Sequence, residues 1–233
     1  MNNQGCILKV DGLSVFFGQS QIIKNISFEA RKGESLAIIG PNGSGKTVLF
    51  RALIGSLDYT GKIEWAPGVR IGYVPQRIDL DRYLSLTLED FLSLKTKVLH
   101  FPRAVINEAL KMVHLPPATL KSSLNNLSAG QLQRGLIAFA LIGSPDILLF
   151  DEPTAGVDLP REEQIYETLH HLQDKQQMTV IFISHDLNLV YRYATKVICL
   201  NREMFCFGSP QTALSPELLD KLYGARIAHR HFE

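Results

Sequence analysis

The segment Gly40-Pro-Asn-Gly-Ser-Gly-Lys-Thr47 constrains this chain more than any other, because it sits between a strand pattern and a helix pattern. Upstream, Ser35-Leu-Ala-Ile-Ile39 is the short apolar run of a buried strand. Downstream, the spacing predicts a helix from Lys46 to Leu53, closed by Gly55. Gly40, Gly43 and Gly45, with Pro41, Asn42 and Ser44 between them, let the backbone turn so that several N–H groups aim at one phosphate. The positive end of the helix dipole adds to that field. Lys46 is then placed to bring a point charge to the β- and γ-phosphates, and the Thr47 hydroxyl to ligate Mg²⁺. A G-x-x-x-x-G-K-[ST] pattern in strand–loop–helix context implies a bound nucleoside triphosphate with its Mg²⁺.

An acidic partner for that loop has to come from the end of another strand. Ile147-Leu-Leu-Phe150 is wholly apolar and ends in Asp151-Glu152. A buried strand that delivers carboxylates at its C-terminal edge is what metal coordination beside a phosphate loop requires. Asp151 is expected to hold the Mg²⁺ shell. Glu152 is expected to face the γ-phosphate and polarise a water as general base.

The remaining pattern predicts one α/β domain that carries an insertion. Its 233 residues, 45% hydrophobic and 20% charged, suffice to bury a core without a disulfide or structural metal. Strand signals fall at Ile7–Val10, Leu13–Phe17, Ile22–Ala30, Lys62–Trp65, Arg70–Val74 and Thr179–Ile183. From Leu86 to Gly143 the spacing turns helical, punctuated by Pro102 and Pro116-Pro117, and a polar helix is expected over Pro160–Gln176. The expected division is a nucleotide-binding core of residues 1–76 and 143–233 with a helical subdomain, 77–142, inserted in it.

Composition removes several classes of function. A formal charge of +1 gives no electrostatic footprint for a nucleic-acid binder. Cys6, Cys199 and Cys206 are odd in number and lack CxxC spacing, so they read as buried free thiols of a reducing compartment. No run reaches the apolar length of a membrane span, and the first residues lack the pattern of a signal peptide. The expectation is a cytoplasmic chain whose membrane role comes through partners.

Further segments point to one family. Leu127-Ser-Ala-Gly-Gln131 resembles the signature sequence of ATP-binding-cassette proteins and precedes Asp151-Glu152 in the family's order. Tyr73-Val-Pro-Gln76 is similar to its glutamine loop, Ile183-Ser-His-Asp186 to its switch histidine, and Asp151 through Asp158 to its acidic pair and dimer-contact loop. The resemblance implies an α/β fold of the phosphate-loop NTPase type, with an N-terminal antiparallel β subdomain and the helical insertion. It also implies a head-to-tail homodimer in which Ser128, Gly130 and Gln131 of one chain close on the ATP of the other. Ser128 heads an apolar helix, a second N-terminus able to receive a phosphate. Gln76 would offer a carbonyl to Mg²⁺ or the attacking water, and His185 would contact the γ-phosphate and orient Glu152. Phe17 matches the adenine-stacking aromatic, with Phe16 as the alternative stacker and the other ring packed in the core. Ala129 stands where glycine is usual, so a methyl could crowd a left-handed backbone, and Gly135 has no evident consequence.

A single cassette without fused membrane spans or a second phosphate loop resembles the separate ATPase subunit of an importer. The stretches Arg70–Gln76, Ser184–Val190, Val197–Asn201, Phe207–Pro210 and Pro216–Gly224 resemble the subunits of zinc/manganese importers. This implies ATP hydrolysis coupled to uptake of a divalent metal, zinc first and manganese second, through a permease and an extracytoplasmic metal-binding protein, at the inner face of the cell membrane. Alternatives are another importer substrate, such as iron complexes, or a soluble ATPase acting on nucleic acid or ribosomes. A groove between the Gln76 loop and the insertion, near Leu84, Leu86 and Leu88, is expected to grip a permease helix. His170-His171 read as solvated, and His229 and His231 as part of a tail that could sense metal.

Overall fold

The computed structural model describes residues 5–76, 78, 85–152, 167, 169–170, 173 and 177–223. Strand β1 (Cys6–Phe17) lies between β2 (Ser20–Arg31) and β4 (Thr60–Trp65), antiparallel to both. The two strands expected over residues 7–17 are one. Their separation in the sequence marks a register irregularity between Val10 and Leu13, where Gly12 takes φ 61°. A bulge, not a turn, accounts for that glycine.

The second sheet has the order β5 (Ile71–Val74), β6 (Ile147–Phe150), β7 (Thr179–Ile183), β3 (Ser35–Ile39), β8 (Lys196–Asn201) and β9 (Glu203–Gly208). β5 through β8 run parallel, and β9 returns antiparallel to β8. Every residue of β3, β6 and β7 is buried, which is why these strands read as continuous apolar runs. Parallel pairing brings the C-terminal ends of β3, β5, β6 and β7 to one edge. Gly40, Gln76, Asp151 and His185, which follow those strands, therefore gather there.

One apolar core fills the space between the two sheets and helix α1 (Lys46–Leu53). A second covers the opposite face and runs without a break into the inserted helices. These are α2 (Leu88–Val98), α3 (Ala104–Met112) and α4 (Ala129–Leu141), with short 3₁₀ turns at Pro117–Lys121 and Leu124–Asn126. Thr87 starts α2 with a reciprocal capping box to Asp90. Gly135 has a packing role that its sequence context hid: a Cβ there would lie 2.9 Å from Leu88 Cδ1, so the glycine admits α2 against α4.

Leu88 is consequently core and not groove, and Leu86 packs partly buried on the same cluster, while Leu84 lies outside the described residues. Among the described residues, the large apolar side chains that the insertion exposes are Leu94, Val98, Leu99 and Phe101. Helix α5 (Leu187–Tyr193) is capped by Asp186, whose carboxylate accepts from the Asn188 N–H at 2.7 Å. Most of the polar helix expected over 160–176 falls outside the described residues, as do His171, His229 and His231. His170 is exposed, its ring edge-on to Tyr193.

The cysteine expectation is corrected. Cys199 and Cys206 face each other across β8 and β9 with Cα atoms 4.8 Å apart, and they form a disulfide. Only Cys6, partly buried, is free. The pairing was hidden because the hairpin turns through Asn201-Arg202-Glu203, with Arg202 at φ 62°, and lacks the Asn-Gly or Gly-rich signal of a tight turn. Among the described residues no helix is long and apolar enough to cross a membrane.

Candidate active site

The phosphate loop leaves β3 at Gly40, where any side chain is excluded: a Cβ would fall 1.9 Å from the Leu200 carbonyl oxygen on β8. Gly45, immediately before α1, has φ 101°, a left-handed conformation that costs an L-residue and not glycine. A Cβ there would lie 3.1 Å from Ile23 Cγ1 and 3.3 Å from the Ile22 carbonyl oxygen, so the glycine lets the loop lie close to β2. The far end of the β1–β2 hairpin carries Phe17, paired with Ser20. Both Phe17 and Phe16 are half exposed, at 50% and 47%, so neither ring packs in the core. A register irregularity between Val15 and Phe16 ends the in–out alternation that would have buried one of them.

Ser44 Oγ is buried without a hydrogen-bond partner, while the Ser44 carbonyl accepts from Arg202 N–H at 2.9 Å. An orphaned hydroxyl in a turn of backbone donors fits a phosphate. Lys46 is buried, and its Nζ donates to the carbonyls of Gly40 at 3.0 Å and Pro41 at 3.1 Å. It also lies 3.8 Å from Glu152 Oε1. Burial lowers the Lys46 pKa from the usual lysine value, opposed by the charges of Glu152 and Asp151.

Thr47 Oγ1 donates to Asp151 Oδ1 at 3.1 Å, and the Tyr73 hydroxyl donates to Asp151 Oδ2 at 3.4 Å. Burial pushes the Asp151 carboxyl up to about 6, against the hydrogen bond from Thr47. A hydroxyl and a carboxylate are hard oxygen donors of the kind Mg²⁺ selects. Asn42 and Gly43 complete the loop on its exposed side.

Glu152 sits one residue beyond, at φ 44°, a strained conformation of the sort concentrated at functional sites. Gln76 Nε2 donates to its Oε2, and His185 Nε2 lies 2.6 Å from its Oε1. The hydrogen bond from His185 lowers the Glu152 pKa despite desolvation, so the carboxylate is ionised and the imidazole donates through Nε2. Gln76 therefore commits its amide nitrogen to Glu152 and keeps its carbonyl oxygen for another partner. The arrangement can hold a carboxylate in one place, beside a buried cation, ready to take a proton.

At the insertion, Ser128 caps α4. Its Oγ accepts from Gln131 N–H at 3.3 Å, and its N–H donates to Gln131 Oε1 at 3.0 Å. These bonds close within the first turn, where Ser128 and Ala129 are exposed and Gly130 is partly buried. Ala129 is the first residue of α4 and helical, so its methyl meets no left-handed backbone. Residues 153–158, including Asp158, lie outside the described residues.

Nothing in the sequence assigns Tyr73 a role of its own beyond its place in Tyr73-Val-Pro-Gln76. Its signal was weak: a tyrosine on a short strand, two residues from a proline. Burial raises its hydroxyl to about 12, so it stays a donor at neutral pH. Tyr73→Phe is expected to leave ATP affinity without Mg²⁺ unchanged and to reduce the Mg²⁺-dependent gain in affinity about five-fold, equivalent to about 1 kcal/mol for one hydrogen bond. Calorimetric titration with and without Mg²⁺ measures both.

A parallel sheet edge with a phosphate loop, a Thr–Asp pair and a glutamate gripped by Gln76 and His185 defines a phosphate-loop nucleoside-triphosphate hydrolase. Residues 23–155 match the ABC transporter family. A zinc import ATP-binding protein, ZnuC, of Jannaschia sp. (strain CCS1) is 39% identical over 94% of this chain and 88% of its own. Among solved structures, an inward-facing putative metal-chelate type ABC transporter aligns with TM-score 0.84 and 29% identity, over 94% of this chain and 89% of that one. The dimeric bacterial ABC transporter cassette MJ0796 aligns with TM-score 0.76 and 27% identity, over 88% of this chain and 99% of that one. The chain belongs to the ATP-binding-cassette transporter family and has the fold expected of its ATPase subunits, which bind and hydrolyse ATP to drive transport.

Proposed function

We propose that this chain powers an importer of a divalent transition metal, zinc first and manganese second. It would act as a homodimer at the cytoplasmic face of the cell membrane, on a separate permease supplied by an extracytoplasmic metal-binding protein. The observation that carries the ATPase part is Glu152, held between Gln76 and His185 within 3.8 Å of Lys46. The substrate rests on near full-length similarity to a zinc import ATP-binding protein. Uptake of a metal complex, such as an iron chelate, is a second reading that the metal-chelate transporter supports at lower identity, 29%.

In this reading the backbone of Gly40–Thr47 and Lys46 hold the phosphates, Phe17 stacks on adenine, and Thr47, Asp151 and the Gln76 carbonyl hold Mg²⁺. The cation would neutralise phosphate charge as it develops. Glu152 takes a proton from the attacking water, kept in place by His185 and Gln76. Ser128, Gly130 and Gln131 of the second copy close over the phosphates. The core, 1–76 and 143–233, and the helical segment, 77–142, act as two units hinged at Gln76. The apolar face of Leu94, Val98, Leu99 and Phe101 replaces Leu86 and Leu88 as the surface that receives the permease.

Reconstitution with the permease in proteoliposomes, supplied in parallel with labelled zinc, manganese and an iron chelate, tests the substrate. ATP-dependent zinc accumulation is expected. Accumulation of the iron chelate alone would overturn the metal-ion reading.

A further inference from the structure

Helix α2 looks two ways. Leu88, Leu92 and Thr96 are buried on its inner side, whereas Leu94 and Val98 stand 53% and 75% exposed on its outer side. Lys95 lies between these faces and reaches inward. Its Nζ donates to the carbonyl oxygens of Phe139 at 2.8 Å and Ala140 at 2.9 Å, and it sits 5.1 Å over the Phe139 ring. That ring stacks in turn on Phe91, with centroids 4.5 Å apart.

The two carbonyls belong to the last turn of α4, where backbone donors run out. Ile142 N–H goes back to Ala138 and Ser144 N–H to Leu141, which leaves Phe139 and Ala140 to the lysine. A cation at a helix C-terminus is also where the helix dipole favours it. Burial lowers the ammonium to about 8, so it is charged at neutral pH.

α4 is an unbroken rod of 13 residues, roughly 20 Å long at 1.5 Å per residue. Ser128 caps one end and Lys95 grips the other. Leu88 fits against Gly135 midway along the rod. Two separated contacts from the same helix fix the direction of a rod, where one would leave it free to pivot. A displacement of α2 then moves the Ser128 end as well.

We propose that Lys95 is a positioning residue that ties the exposed apolar face of α2 to α4, so that load on α2 sets how the Ser128 end closes on the nucleotide of a second copy. This rests on the shared-site reading above. Lys95 touches no reacting atom, and monomer affinity for ATP does not depend on it.

The test uses the full chain with Glu152→Gln as parent, so that ATP persists. Lys95→Met keeps length and removes charge and donors; Lys95→Arg keeps both. ATP-driven dimerisation is followed by analytical ultracentrifugation, and monomer ATP affinity and thermal midpoint are measured alongside. Lys95→Met is expected to need about ten-fold more protein to reach half dimer, the scale of a lost charge-assisted hydrogen bond. Its ATP affinity should stay within two-fold of the parent, and Lys95→Arg should restore the dimer. Lys95→Gln, which retains an amide donor, serves if the Met variant does not fold, and is expected to need about three-fold more protein. Lys95→Met or Lys95→Gln dimerising like the parent overturns the role of Lys95 alone. So does a thermal midpoint that falls while the dimer is not rescued by Arg. A parent that forms no dimer with ATP overturns the shared-site reading and this proposal together.

Discussion

Glu152→Gln is expected to bind ATP as tightly as the unaltered chain and to hydrolyse it about 10³-fold more slowly, the scale of losing a general base. The amide is nearly isosteric, so its carbonyl oxygen can keep a hydrogen bond from His185 or Gln76, each of which now donates to the carboxylate. What it cannot do is accept the proton of an attacking water. The loss should therefore appear in kcat with little change in KM. Phosphate release at saturating ATP measures it, with nucleotide binding measured separately. Turnover within ten-fold of the parent would place the base elsewhere.

Lys46→Ala is expected to weaken ATP binding about 10²-fold, in keeping with the removal of charge-assisted hydrogen bonds from a dry site. Lys46 is buried, so water screens its charge little. Its ammonium is held by the carbonyls of Gly40 and Pro41, which keeps it at the loop. Calorimetric titration reads the affinity. An unchanged value would mean that the loop does not cradle the phosphates.

The parts of this molecule that were legible in the sequence share a physical cause. β3, β6 and β7 are buried on both faces, so beyond the first residues Ser35 and Thr179 their runs 35–39, 147–150 and 179–183 are apolar throughout and their ends show. The phosphate loop, Asp151 and Glu152 follow those strands directly and inherit their clarity. Gln76 and His185 were found by motif order, and the structure brings both onto Glu152.

What was hidden depends on register between distant segments. Cys199 meets Cys206 only because β9 folds back on β8 in one alignment. Tyr73 reaches Asp151 because β5 and β6 pair with Val74 beside Phe150. Gly135 makes sense only with Leu88 against it, and Lys95 only with the end of α4 beneath its ammonium. Leu88, expected beside the permease groove, is packed in the core. In each of these cases the residue type was visible and its partner was not.

In the proposed shared site, two copies enclose each ATP. In the Glu152→Gln chain, size-exclusion chromatography with bound-nucleotide quantification should show a dimer with ATP and a monomer without it, because ligand that bridges two chains stabilises their association. Adding Ser128→Arg places a bulky side chain at the exposed cap of α4, where the proposed shared site puts the opposing phosphates, and leaves the loop around Lys46 untouched. The double variant should bind ATP as a monomer with nearly unchanged affinity and form no dimer. A Glu152→Gln chain that stays monomeric in saturating ATP, or a Ser128→Arg variant that dimerises as well as its parent, would contradict the shared site.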